Sequence, residues 1–137
     1  MLGALVGVGM LNGLTVRADI SPASRWNLNA QQGLRSAFEH RGWAFLVQQQ
    51  EAHRATGQPL KALDWQPYVE VGRLRNQPVL RYFSADLASA QACVTCHNAW
   101  EQKPDIQQRR RQAGVEVGKV FERQELLGAV SITVPLQ

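Results

Sequence analysis

Cys93 and Cys96 stand three residues apart, and His97 follows directly. C-x-x-C-H is the attachment signal for c-type haem. Because three residues make almost one helical turn, a short helix would bring both thiols to one side, where they can form thioethers with the two vinyl groups of a porphyrin edge. His97 would then present its imidazole to the iron. The motif therefore predicts one covalent haem c per chain, with His97 as the proximal ligand.

Other uses of these cysteines fit the sequence less well. A structural zinc site needs four ligands, whereas the chain has two cysteines, and His40 and His53 stand far apart. A thioredoxin-like dithiol belongs next to a βαβ unit, which the pattern around the motif does not indicate. A disulfide between Cys93 and Cys96 would close a loop too small to stabilise much.

The length of 137 residues predicts a single domain over 1–137. Because haem is attached on the outer side of the bacterial inner membrane, the motif implies a periplasmic or otherwise exported domain. Leu2 to Leu11 is apolar, but no basic residue precedes it and no cleavage pattern follows it. It is also much shorter than the ~20 residues of a membrane-spanning helix. We therefore expect a piece of a longer protein, or a mature chain with an added Met1.

The net charge of +4 includes one dense basic cluster, Arg109 to Arg111. A surface for single-stranded nucleic acid would interleave basic residues with exposed aromatic ones, and none flank this cluster. The sequence predicts a solvated face there and no nucleic-acid partner.

Alternating β-branched and apolar residues indicate strands at 14–20, 68–74, 79–85 and 127–136. Asn29 and Gln32 form a capping-box pattern that predicts a long helix running to about His53, ended by Gly57 and Pro59. Shorter helices are predicted at 87–98, around the haem motif, and at 106–113. This order of elements predicts an α+β fold with an antiparallel sheet.

Three segments resemble a known family: 78–86 (PVLRYFSAD), 92–98 (ACVTCHN) and 127–136 (LGAVSITVPL). They are similar to the single-haem c-type domains with a PAS-like fold, many of which are described as domains of unknown function. These domains form periplasmic sensing regions of bacterial chemoreceptors, histidine kinases and cyclases, and also occur as free cytochromes. Residues 14–17, Phe38-Glu39 and Trp43 resemble the upstream landmarks of that family.

The resemblance implies a PAS-like antiparallel sheet flanked by helices. Residues 1–12 would be the remnant of a preceding helix that often carries the distal side of the haem pocket. The chain departs from the family at 121–126, where a Lys-x-Gly-Asp type of turn is usual, and it lacks the third cysteine that is the sixth ligand in some members.

The sixth iron ligand has several candidates. Met10 lies where the distal segment of the family would end, although a methionine is also an ordinary core residue. His40 lies on the predicted long helix, and His53 lies near its end, where the helix dipole favours a histidine. An open or water-filled position is a further alternative.

Three residues before the motif are expected to contact the haem: Arg81, Tyr82 and Phe83. The guanidinium of Arg81 suits a haem propionate, and the two aromatic side chains could form a wall of the haem pocket. Each also has an ordinary interpretation, as an outward-pointing strand arginine and as core aromatics.

The expected function is that of a haem-binding sensory domain that responds to redox state or to a small gaseous ligand. It would relay the signal to an output module in a membrane-tethered protein, and a homodimer is one form in which it could act. The alternative is a single-haem electron carrier with a redox partner. No acid–base pair or nucleophile motif indicates an enzyme, although such a domain can be the input of a larger signalling enzyme.

Overall fold

A computed structural model of the protein describes residues 14–22 and 32–136. Its strands are β1 (Thr15–Ile20), β2 (Tyr68–Leu74), β3 (Gln77–Leu87) and β4 (Leu126–Pro135). Its α-helices are α1 (Ala37–Ala55), α2 (Gln91–Glu101) and α3 (Pro104–Ala113), and a 3₁₀ turn spans Leu60–Ala62. The predicted α+β class is confirmed. None of the described helices is long and apolar enough to cross a membrane.

The four strands form one antiparallel sheet in the order β1-β4-β3-β2. The first strand therefore pairs with the last one, and Thr15 lies opposite Thr133. β2 and β3 form a hairpin whose two turn residues, Arg75 and Asn76, have φ values of 50° and 64°. Two consecutive residues with positive φ are typical of a type I′ turn, whose twist matches that of the adjoining strands. The predicted turn at 75–78 is thus shorter, and β3 is longer than predicted.

Helix α1 begins at Ala37, later than the helix start predicted from Asn29 and Gln32. Ser36 is the N-cap, and its Oγ accepts a hydrogen bond from the backbone N–H of Glu39 at 3.2 Å. Gln32 lies before the helix in non-α backbone, and Asn29 is outside the described residues. The helix starts where a side chain can cap its free N–H groups, and Ser36 does so here.

The hydrophobic core lies between α1 and one face of the sheet. Its fully buried members come from β1, α1, β3 and β4: Ile20, Phe38, Leu46, Phe83, Leu126 and Ala129. The rings of Phe38 and Phe83 pack edge to face with centroids 6.0 Å apart. Burial of each large side chain contributes roughly 1.5–3 kcal/mol, so this layer fixes α1 on the sheet.

The second face of the sheet is also apolar, because alternate strand residues point away from α1. It carries Val16, Val69, Val71, Leu80, Tyr82, Val130, Ile132 and Val134. On the edge strand β2, the side chains of Val69 and Val71 are 47% and 72% exposed. We call these eight residues the second face.

Helices α2 and α3 pack against each other beside the sheet. Arg110 on α3 forms a buried ion pair with Glu101 at the end of α2. The prediction of a solvated face at Arg109 to Arg111 is therefore wrong for Arg110. Helical periodicity is the reason, since neighbouring residues lie about 100° apart around a helix, and only Arg110 points at α2.

Candidate functional site

Helix α2 presents the motif residues on one side. Cys93, Cys96 and His97 are spaced i, i+3 and i+4, and Trp100 continues the row at i+7. Val94 and Glu101 are buried and lie next to His97 around the helix, at i−3 and i+4 from it. The cysteine thiols are free, with Cys96 exposed and Cys93 half-buried. Two accessible thiols and an imidazole therefore lie in one row, and the buried residues of the helix lie along the His97 edge of that row.

The His97 imidazole packs against Phe121. Their ring centroids are 5.5 Å apart, with an angle of 65° between the ring planes. Asn98, the next residue, makes two hydrogen bonds to the backbone of Phe121: its Oδ1 accepts from the N–H at 2.6 Å, and its Nδ2 donates to the carbonyl at 3.1 Å. These contacts hold the loop that follows α3 against the motif helix.

The carboxylates of Asp86 and Asp19 lie near each other, at the end of β3 that leads towards α2. Burial raises the pKa of Asp86, and the nearby charge of Asp19 raises it further, while the His97 imidazole acts in the opposite direction. Because α2 begins at Gln91, shortly after β3 ends at Leu87, Asp86 lies near the start of the motif helix.

Lys103 covers the last residue of the motif row. Its Nζ lies 4.3 Å from the centroid of the Trp100 ring, a cation–π arrangement. The row of motif side chains thus ends at an aromatic ring with a cation above it.

The three residues predicted to contact the haem do not share one side of β3. Phe83 points into the core beneath α1, and Arg81 lies on the same side, with its guanidinium carbon 4.4 Å from the centroid of the Phe38 ring and Nη2 3.4 Å from Ser36 Oγ. Tyr82 points to the second face. Consecutive strand residues alternate between faces, so the three cannot line one surface. That Arg81 pairs with a propionate stays a prediction.

The candidate sixth ligands differ in their surroundings. His40 is exposed on α1. The Nε2–H of His53 donates to the carbonyl of Pro59 at 2.9 Å. Met10 lies outside the described residues. Within residues 14–22 and 32–136, no three metal-binding side chains come together.

Sequence reasoning missed Phe121 and Asn98 as partners of the motif. Asn98 was within the recognised segment, but its role depends on a contact 23 residues away along the chain. Residues 114–121 carry no regular pattern, so nothing in the sequence indicated which of them would reach α2.

Comparison with known proteins gives one family. A search of curated proteins and a search of solved structures returned no match. The family model Tll0287-like matches residues 12–135, which include every described strand and helix. The chain therefore belongs to the Tll0287-like family of cytochrome-like sensor domains.

Proposed function

We propose that this domain binds one c-type haem covalently and uses it to sense redox state or a small gaseous ligand. Cys93 and Cys96 would form the thioethers, and His97 would be the proximal ligand. The observation that carries the proposal is the row of two free thiols and one imidazole on a single side of α2.

The residues around this row suit a haem. The thiols are accessible to a porphyrin edge, and His97 is half-buried beside an aromatic ring. Tyr82, Val130 and Ile132 offer apolar surface on the second face, and the Asp86 end of this face lies near the start of α2. Of the predicted haem neighbours, this arrangement favours Tyr82 over Arg81 and Phe83. When bound, the iron supplies a reversible one-electron couple and an axial position for a small ligand.

The contacts of α2 with the rest of the fold support a sensory role. His97 contacts Phe121, and four residues later Glu125 precedes the first residue of β4. The N–H of Ala88, just before α2, donates to the carbonyl of Glu125, and the N–H of Gln124 donates to the carbonyl of Ala88. A ligand shifts a conformational equilibrium only through its different affinities for the two states. In this fold, a movement of His97 would reach the end of the central strands directly.

The proposal includes the compartment and the partners. Covalent haem attachment implies an exported, periplasmic domain, and a sensor of this kind would act through an output module of a membrane-tethered protein. Its signal would be a diatomic gas or an electron from a redox partner. An electron carrier is the competing function, and the spectroscopic test below separates the two.

The covalent haem is tested by mass. Wild-type chain expressed in cells competent for cytochrome maturation should exceed the polypeptide mass by one haem, and the pigment should stay with the protein through acid extraction. Cys93→Ala with Cys96→Ala should abolish both results. A wild-type mass equal to that of the bare polypeptide would refute the haem assignment.

The sensory role is tested by ligand binding. Ferrous protein should bind carbon monoxide or nitric oxide with a change in its visible spectrum, since a sensor needs an open, water-bound or displaceable sixth position. Met10→Ala should speed this binding if Met10 is the displaceable ligand. A low-spin ferrous spectrum that neither gas changes would show a strong sixth ligand and would favour the carrier. His40→Ala and His53→Ala would then identify the ligand.

A further inference from the structure

We propose that Asn98 and Phe121 are positioning residues for the His97 imidazole, and that together they set the orientation of the proximal ligand. We call this pair the clamp. The inference rests on the proposed haem function, because it concerns how the axial ligand of that haem is held.

The first support is the two-point hydrogen bonding between the clamp residues. Asn98 Oδ1 accepts from the N–H of Phe121 at 2.6 Å, while its Nδ2 donates to the carbonyl of the same residue at 3.1 Å. An amide side chain that meets both backbone groups of one residue fixes its distance and its direction, because both bonds must be kept at once. Phe121 is therefore held in register with the residue after His97.

The second support is the position of the Phe121 ring. Phe121 is 4% exposed, and its ring meets the imidazole at 65° with the centroids 5.5 Å apart. This is the edge-to-face geometry that aromatic rings prefer. An imidazole that coordinates a metal needs its orientation fixed by groups beyond the coordination sphere. The backbone of α2 fixes the position of the His97 Cα atom, and the Phe121 ring restricts the rotation of the imidazole.

The third support is that the clamp is itself anchored. Lys119 Nζ lies 5.2 Å from the centroid of the Phe121 ring and 2.8 Å from Glu125 Oε1. Glu125 is buried and also pairs with Arg54 of α1, whose Nη2 lies 3.2 Å from Glu125 Oε1. The loop that carries Phe121 is thus attached both to the motif helix and to α1.

The direct test needs no variant. The reduced protein saturated with carbon monoxide is diamagnetic, and its His97 and Phe121 ring protons should show a nuclear Overhauser contact. A chain purified without haem allows the same measurement, so failure of the haem assignment leaves the clamp testable. Absence of this contact in wild-type protein would overturn the inference.

Variants separate positioning from general stability. Phe121→Leu keeps an apolar side chain but removes the ring, and Asn98→Asp keeps the acceptor for the Phe121 N–H but removes the donor. Both should change the His97 ring shifts, with the larger change in Phe121→Leu. Phe121→Leu, which alters no charge, should also change the reduction potential of the haem-loaded protein. Arg54→Ala is the control, because it loosens the anchor on α1 without touching either ring. Equal changes in the control and in Phe121→Leu would assign the pair a structural role only.

Discussion

Gly42 of α1 leaves space for the ring of Phe83. A Cβ atom at position 42 would lie 2.5 Å from Cδ1 and 2.7 Å from Cγ of that ring. Phe83 is fully buried and also packs against Phe38, so its ring cannot easily move aside. The helix therefore needs a glycine at this point because it approaches β3 closely, although glycine disfavours a helix interior.

Gly42→Ala should lower the free energy of unfolding. The substitution gains up to ~1 kcal/mol of helix propensity, but overpacking of a filled core costs roughly 1–3 kcal/mol. We expect the overpacking to outweigh the gain, with a net loss on the order of 1 kcal/mol measured by urea unfolding. Gly72→Ala is the control, since a Cβ there meets no atom within 4 Å. Wild-type stability in Gly42→Ala would mean that the Phe83 ring can move.

Arg110→Ala should be far more destabilising than Arg109→Ala. It leaves the buried carboxylate of Glu101 without its ion-pair partner, and loss of one member of a buried pair typically costs ~3–5 kcal/mol. Arg109 is exposed, and surface substitutions usually stay within about 0.5 kcal/mol. Chemical denaturation of the two variants provides the comparison.

The double variant Glu101→Leu with Arg110→Met checks the interpretation. Replacement of both charges by apolar side chains of similar size removes the unpaired charge, so it should recover most of the stability lost in Arg110→Ala. A double variant as unstable as Arg110→Ala would show that the loss came from packing.

Glu125 should make the fold sensitive to acid. Burial alone would raise its pKa, but hydrogen bonds from Lys119, from the backbone N–H of Glu122 and from Arg54 together hold the pKa below the usual value. As pH falls below about 4.3, the ordinary pKa of a glutamate, the unfolded chain takes up this proton before the folded chain does. The stabilisation is therefore complete above that pH and is lost as pH falls towards the lowered folded pKa.

Glu125→Gln tests this pH dependence. At pH 7 the variant should be less stable by roughly 1–3 kcal/mol, because Lys119, Arg54 and the backbone N–H of Glu122 lose a charged hydrogen-bond acceptor. The difference from wild type should shrink as pH falls below about 4.3. Glu116→Gln, at an exposed position, is the matched control for the same substitution. A Glu125→Gln difference that stays constant with pH would contradict the proposed role of the carboxylate.

Val71→Lys should reduce self-association without changing the melting temperature. The side chain of Val71 is 72% exposed on the edge strand β2, and charged residues on edge strands discourage pairing with other chains. Light scattering at high protein concentration measures the effect. Arg73→Lys is the control, because it places a lysine on the same strand without adding a charge. Unchanged scattering in Val71→Lys would show that this edge does not drive association.

The sequence predicted the parts of this fold that rest on local patterns. Strand alternation located β1, β2 and β4, and the motif spacing predicted that Cys93 and Cys96 would share one side of a short helix. The start of α1 was missed because a capping-box pattern at Asn29 competed with the actual cap at Ser36. Each of these capping signals spans only a few residues, so the sequence alone does not rank them. In the structure Ser36 caps α1.

Features that depend on distant contacts could not be predicted in this way. The burial of Arg110 follows from the position of Glu101 on another helix, and the contact between Phe121 and His97 joins segments with no shared pattern. Proximity in sequence suggested that Arg81, Tyr82 and Phe83 would act together, whereas strand geometry directs Tyr82 to the opposite face.

The pairing of β1 with β4 has a mechanical consequence. The two strands are antiparallel, and Thr15 at the start of one lies opposite Thr133 near the end of the other. A force that pulls on the chain before Thr15 and after Pro135 would act on one end of the β1–β4 pair. The hydrogen bonds between the two strands would then break one after another, starting from that end. The domain should therefore unfold at low force when its flanks separate, and the first strand to leave the sheet should be β1.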